Sequence, residues 1–176
     1  MSDTILPIGF TAVEDWTVED FYRFFHQLNI LYNRLYVLEK IKLKGQTRNL
    51  KNAFHGSLSS VSEPHRLIIQ SIEIHSPGDF NLLGLDKIIQ QLRELWKDIS
   101  YQNRLTKQKL VEQNRHDKKM HQLKEVAATQ KLLQNQISLM RELGYSESEI
   151  AEGVKALSDP LDQLVELAST RKISLK

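Results

Sequence analysis

The segment Leu85-Asp-Lys-Ile-Ile-Gln-Gln-Leu-Arg-Glu-Leu-Trp-Lys-Asp-Ile99 opens a stretch that reaches Leu143 without a Pro or a Gly. Within it Leu85, Ile88, Ile89, Leu92, Leu95, Trp96 and Ile99 recur at steps of one, three and four, the apolar stripe of an amphipathic helix. No residue type stops that helix before Leu143. At about 1.5 Å per residue it would run roughly 90 Å. A compact chain of 176 residues cannot contain such a rod. The helix is therefore expected to project, to break, or to pair with another chain.

Its middle part is polar and basic. Arg104, Lys107, Lys109, Arg115, Lys118 and Lys119 face only Glu112 and Asp117 between Ser100 and Lys119. These cations are candidate phosphate contacts. From Met120 the apolar period returns through Met120, Leu123, Val126, Leu133, Ile137 and Met140, with Gln130 as a polar interruption. That three–four step is a short coiled-coil seam, and these six residues are the expected oligomerisation surface.

Upstream, Thr17 with Asp20 three residues later is a capping signal for a first helix. Phe21, Phe24, Phe25, Leu28, Leu31, Tyr32, Leu35, Leu38 and Ile41 form its wide apolar stripe. The aromatic residues on it read as core with tyrosine hydroxyls at the rim. Residues 42–66 read as a connection, punctuated by Gly45, Gly56, Pro64 and a serine cluster, with cations from Lys40 to Lys51. Leu67 to Ile74 is the best strand, and its spacing places Ile68, Ile72 and Ile74 on one face. Ile5 to Phe10, broken by Pro7 and Gly9, would be an edge strand at best. Because a lone strand is unstable in water, the 67–74 strand must pair with the N-terminal strand, the 42–66 region or another chain, and that missing pairing hints at self-association. His75 to Asp79 is turn chemistry, and Phe80 to Leu85 reads as a strand-to-helix turn packed on the core.

Downstream, Gly144 is a helix stop and Ser146 with Glu149 is a capping box. Ser158-Asp159-Pro160 reads as a second restart before a last short helix. Tyr145, Ile150, Val154 and Leu157 either pack this tail back or hold a partner. The expected class is α+β, mostly α: an α+β head at 1–99, a helical stalk at 100–143 and a helical tail at 144–176. The head is expected to fold without the tail.

Composition excludes several functions. The chain has no cysteine, which removes disulfide scaffolds, Cys-ligated zinc, iron–sulfur clusters and thiol chemistry. Lys plus Arg is 24 against 22 Asp plus Glu, a net charge of +2, so the chain is no polyanion-coating protein. No stretch is apolar enough to span a bilayer, and Met1 to Phe10 lacks the cations of a signal peptide. A cytoplasmic location is expected. The six histidines show no metal-ligand spacing, and no Gly-x-Ser-x-Gly elbow exists. Neither an enzyme constellation nor a cofactor is expected.

Asn29-x-Leu31-Tyr32-Asn33, Ile72-x-Ile74-x-Ser76-Pro77-Gly78, Leu83-Gly84-Leu85, the long charged helix and Arg141-Glu142-Leu143-Gly144-Tyr145-Ser146 form a combination. It resembles a group of uncharacterised bacterial helical proteins, of cyanobacterial and actinobacterial type. The resemblance covers roughly residues 16–157 and implies an accessory role in bacterial conflict or signalling systems. It carries over no catalytic residue.

The leading expectation is a non-catalytic homo-oligomeric scaffold or adaptor, with itself and another protein as partners. The alternative is a nucleic-acid-binding accessory protein using the 104–119 stretch.

Overall fold

The computed structural model describes residues 3–10, 16–45, 49–56, 61–73, 78–109, 117–171 and 173–175. The chain is a mostly helical α+β protein. Its elements are β1 (Asp3–Phe10), α1 (Val18–Lys44), α2 (Leu50–His55), a 3-10 turn (Glu63–His65), β2 (Ile68–Glu73), β3 (Gly78–Leu85), α3 (Asp86–Lys109), α4 (Asp117–Glu142), α5 (Glu147–Arg171) and β4 (Ile173–Leu175).

Helix α1 starts where its sequence says. The Asp20 amide donates to the Thr17 hydroxyl oxygen at 3.1 Å, and the Thr17 amide donates to the Asp20 carboxylate at 2.9 Å. Two donors that the first turn leaves without helical partners are thereby satisfied. Gly45, at φ 61°, ends the helix in the left-handed region that favours glycine. Phe24, Leu28, Leu31, Tyr32, Leu35, Leu38 and Ile41 are buried, with Phe21 and Phe25 packed beside them. The Phe24 ring meets Trp96 of α3 at a centroid distance of 5.8 Å, so the aromatic residues build core. All seven stripe residues of the Leu85–Ile99 segment are buried as well.

The four strands form one antiparallel sheet in the order β2-β3-β1-β4. Three expectations change here. The strand at 68–73 finds its partner, β3, within the chain. The segment read as a strand-to-helix turn is β3 itself, an inner strand. Its Gly84 is no turn residue: a Cβ there would stand 2.8 Å from Cε2 of Tyr32. Glycine in this strand marks the close approach of a ring. Third, β1 lies between β3 and β4, but β4 pairs only with Ile8–Phe10. Pro7 thus falls in the half of β1 that has one described neighbour, where a missing ladder donor is tolerated.

Tyr32 locks the sheet to α1. Its hydroxyl accepts from the Leu85 amide at 2.9 Å and donates to the His65 carbonyl at 2.9 Å. A single phenol thereby fixes the end of β3, the start of α3 and the turn that leads into β2.

The long helix breaks. Helices α3 and α4 run antiparallel: Gln136 donates to Gln91 at 3.0 Å, and Lys131 sits 3.9 Å from Glu94. The chain therefore folds back with neither Pro nor Gly between Leu85 and Leu143, and the single projecting rod is replaced by a hairpin. Leu132, Leu139 and Met140 of α4 and Ile150, Leu157, Leu161 and Leu164 of α5 share one core with Leu6, Ile8, Leu82 and the α1 stripe. Strand β4, from the expected tail, pairs with β1, from the expected head. The head expected at 1–99 thus does not pack alone; the stalk's second half and the tail supply part of its core.

Two more elements differ from expectation. The 42–66 connection contains α2, whose Leu50 and Phe54 are buried against α5. The tail is one helix rather than two. Its start is the expected capping box, with Ser146 donating to Glu149 at 2.8 Å and the Glu149 amide donating to the Ser146 hydroxyl oxygen at 3.3 Å. The hydroxyl and amide of Ser146 hold the Glu149 carboxyl below its usual range. Pro160 lies inside α5, where it deprives the Ala156 carbonyl of its helical donor. Arg34 of α1 donates to that carbonyl instead. A side chain from a neighbouring helix thus stands in for the missing amide, and the helix runs on.

The Tyr32 bridge has a measurable consequence. Tyr32→Phe leaves the buried Leu85 amide and the His65 carbonyl without this partner. It is expected to lower the unfolding free energy by about 1–3 kcal/mol. Gly84→Ala should destabilise by pushing on the same ring, and the two changes should be non-additive because they share it. Urea unfolding of the single and double variants checks this; a neutral Tyr32→Phe would show that the bridge holds nothing.

Candidate functional site

The sheet leaves β2 at an edge, and the sequence around it builds a groove. Residues Tyr22, Phe25, His26, Asn29 and Asn33 recur at steps of one, three and four along α1. They form a polar and aromatic stripe beside the buried one. Across from it stand Val61, Arg66, Leu67, Ile69 and Leu82, and the space between is a cavity of about 590 Å³. The far wall is fixed by the 3-10 turn, where the His65 amide donates to the Ser62 carbonyl at 2.9 Å and Tyr32 holds the His65 carbonyl.

The two rims differ in chemistry. Tyr22 and His26 stack at 5.4 Å with planes 12° apart, and Tyr22 is 59 % exposed. Asn33 is only 4 % exposed and donates to the Asn29 side-chain oxygen at 3.3 Å. Among the described residues lining the cavity, Arg66 is the one Lys, Arg, Asp or Glu. Its contact with Glu63, 3.8 Å between exposed side chains, is weak. Apolar walls with a few placed polar groups suit binding. Among the described lining residues no nucleophile and base are paired.

The register of β2 sorts its apolar residues. Ile68 pairs with Leu83, which pairs with Ile5; Ile69 pairs with Leu82, which pairs with Leu6. An irregularity between Ile69 and Ser71 then places Ile72 opposite Phe80, in the row of Ile8. Leu6, Ile8 and Leu82 are buried, so Ile69 and Ile72 belong to the rows of the inner face and Ile68 to the outer one. Strict alternation had put Ile68 and Ile72 together; the bulge separates them. Ile5 and Ile68 are 42 % and 47 % exposed on the outer face, and Ile69 is 45 % exposed at the mouth of the groove.

A second cavity, about 390 Å³, lies where α1, α2 and α5 meet, lined by Arg34, Lys51, Phe54, His55, Lys155 and Asp159 among others. Burial draws the Arg34 guanidinium below the ordinary arginine value, while Asp159 opposes the shift.

The sequence-predicted sites land elsewhere. Of the oligomerisation seam, Met140 is fully buried within its own chain, against Gly153. Leu133 and Ile137 are half-buried against the core. The buried face of α4 is Thr129, Leu132, Gln136, Leu139 and Met140, one residue out of step with the expected seam. The side chains of Met120, Leu123 and Val126 lie outside the described residues. Of the partner-binding set, Tyr145, Ile150 and Leu157 are buried and Val154 packs against the core, so the tail packs back. Arg104, Lys107 and Lys109 fall near the end of α3 and Lys118 and Lys119 at the start of α4, with Arg115 outside the described residues. The groove itself was missed. Its signal was the Tyr22-His26-Asn29-Asn33 stripe, which looks like a solvated helix face until β2 is placed beside it.

The Arg34 contact can be isolated by a double-mutant cycle. Arg34→Met should cost about 1–3 kcal/mol in the natural background, because the Ala156 carbonyl loses its donor. It should cost clearly less beside Pro160→Ala, which restores an amide at that position. Equal costs in both backgrounds would mean that Arg34 serves something other than the proline gap.

Compared with protein-family models, with curated proteins and with solved structures, the chain matches none.

Proposed function

We propose that the chain is a non-catalytic, homo-oligomeric scaffold or adaptor that acts by protein–protein contact in the cytoplasm, in the setting of a bacterial defence or signalling system. The observation that carries this reading is the row Ile5–Leu83–Ile68. Three aliphatic residues from three strands stand in register on the outer face of the sheet, with Ile5 and Ile68 nearly half exposed. Among the described residues the other large exposed apolar side chains are Ile69, at the mouth of the groove, and Val18, Tyr22 and Leu43, dispersed along α1. Clustered apolar exposure marks interaction surfaces, whereas scattered exposure is ordinary. Sheets pack face to face at about 10 Å through such rows. The self-association expected from the α4 seam thereby moves to the sheet. No helix among the described residues is long and apolar enough to cross a membrane.

The test is molar mass by light scattering at tens of micromolar protein (about 10⁻⁵ M), a range in which association worth roughly 7–8 kcal/mol is populated. The natural chain should exceed the 20.5 kDa of one copy. Ile5→Lys with Ile68→Lys should return it to the single-copy mass with an unchanged circular dichroism spectrum. A natural chain of single-copy mass would sink the reading.

One observation favours the nucleic-acid alternative. The antiparallel course of α3 and α4 brings the 104–109 and 117–119 segments to the same end of the hairpin, so Arg104, Lys107, Lys109, Lys118 and Lys119 share one tip. Five neutralised phosphates would give a log–log salt slope of about −4.5. The scaffold reading expects only weak, salt-labile DNA binding. Sub-micromolar binding at physiological salt, lost when Lys107, Lys109, Lys118 and Lys119 become Gln, would put the alternative first.

A further inference from the structure

We infer that the groove between α1 and the free edge of β2 receives an extended segment of a partner protein, which adds to β2 as a further strand and places an aliphatic side chain and, two residues away, an Asp or Glu into the groove. The inference rests on the reading of this chain as an adaptor, and names the chemistry of what it holds.

The edge comes first. Among the described residues β2 pairs only with β3, so alternate residues of Ile68–Glu73 direct their N–H and C=O groups away from the sheet. Sheet edges are usually blunted by Lys, Pro, inward charges or bulges. β2 is Ile-Ile-Gln-Ser-Ile-Glu, with its single charge at the last position and one irregularity between Ile69 and Ser71, which leaves Ile68 and Ile69 in regular pairing before it. It is held rigidly in place, because Tyr32 fixes the turn just before it. An edge strand anchored beside a helix is the arrangement that strand addition uses: backbone bonds supply affinity and side-chain pockets supply selectivity.

The dimensions agree. The α1 stripe from Tyr22 to Asn33 spans roughly 16 Å. An extended chain of about five residues covers the same length. Leu67 and Ile69, two residues apart, both line the groove, as do Phe25, Val61 and Leu82. A segment laid along β2 therefore drops alternate side chains into it. One meets the apolar wall of Phe25, Ile69 and Leu82. The next lies by Leu67 and Arg66.

Charge selects the second side chain. Among the described lining residues Arg66 is the one formal cation and there is no formal anion, and its 3.8 Å contact with the exposed Glu63 is easily exchanged. An acidic side chain two residues from the aliphatic one would reach the guanidinium in a bidentate geometry. Asn29, whose side-chain oxygen is held by Asn33, offers its amide nitrogen to the segment's polar atoms.

Selection from a phage-displayed library of random heptapeptides, against the full chain, tests this. Enrichment of an aliphatic-x-Asp/Glu pattern is expected, and the enriched peptide, synthesised, should slow hydrogen exchange at Ile68–Glu73. Arg66→Glu should weaken its binding at least tenfold and turn selection towards Lys or Arg at the acidic position. Ile69→Lys should abolish binding, while Ile5→Lys should leave it unchanged. No enrichment over the bare support, or an affinity indifferent to Arg66→Glu, would overturn the inference. So would protection of β2 that rises with protein concentration and no peptide, which would assign the edge to a second copy. Peptide binding by a chain of single-copy mass would uphold the groove and sink self-association; an oligomer that selects no peptide would do the reverse.

Discussion

The phenol of Tyr32 is the contact on which the remaining architecture depends. Its ring lies where a side chain on Gly84 would otherwise stand. Its hydroxyl serves two backbone groups from segments far apart in sequence, the Leu85 amide and the His65 carbonyl. A buried backbone group without a partner is costly, so these segments have one good position relative to α1. Leu85 closes β3 and hands the chain to α3. His65 closes the turn before β2. The sheet, the helical hairpin and the edge strand are thus all indexed to one side chain in the middle of α1.

What the sequence makes legible is local. The Thr17–Asp20 and Ser146–Glu149 boxes and the Leu85–Ile99 stripe are visible because the interacting residues lie within a turn or two of each other. What it hides is set by distant partners. Gly84 sits next to turn-like chemistry, and only Tyr32, 53 positions before the Leu85 amide it binds, explains a glycine in a strand. Pro160 follows Ser-Asp as a helix start would, and only Arg34, 122 positions from Ala156, lets the helix continue. The α4 seam fails for another reason. Leu132-Leu133, Gln136-Ile137 and Leu139-Met140 are adjacent pairs, so two stripes one residue apart fit the same letters. The buried one includes Gln136 because Gln91 meets it, a pairing that composition cannot reveal.

The fold-back of α3 and α4 also redistributes the surfaces available to partners. A projecting helix would have offered Leu133, Ile137 and Met140 to another chain. Folded back, the hairpin spends Leu132, Leu139 and Met140 on the chain's own core, and α5 spends Ile150, Leu157 and Leu161 there too. That much helical apolar surface is thereby consumed. Among the described residues the apolar side chains that remain exposed as neighbours belong to the sheet, whose other face, with Leu6, Ile8 and Leu82, is buried.

A one-residue irregularity divides that sheet surface into two. Without the bulge between Ile69 and Ser71, Ile68 and Ile72 would share a face and Ile69 would stand opposite both. With it, Ile68 joins Ile5 and Leu83 outside, while Ile69 joins Leu67, Leu82 and Phe25 around the groove. Contact through the outer row uses side chains alone. Contact at the edge uses the backbone of β2 and the inner row. Because the two sets share no side chain, one surface can be occupied while the other stays open, and a change such as Ile5→Lys addresses the first without touching the second. The proposed scaffold, joining copies of itself and also holding a partner, would need that separation, and the register of a single six-residue strand supplies it.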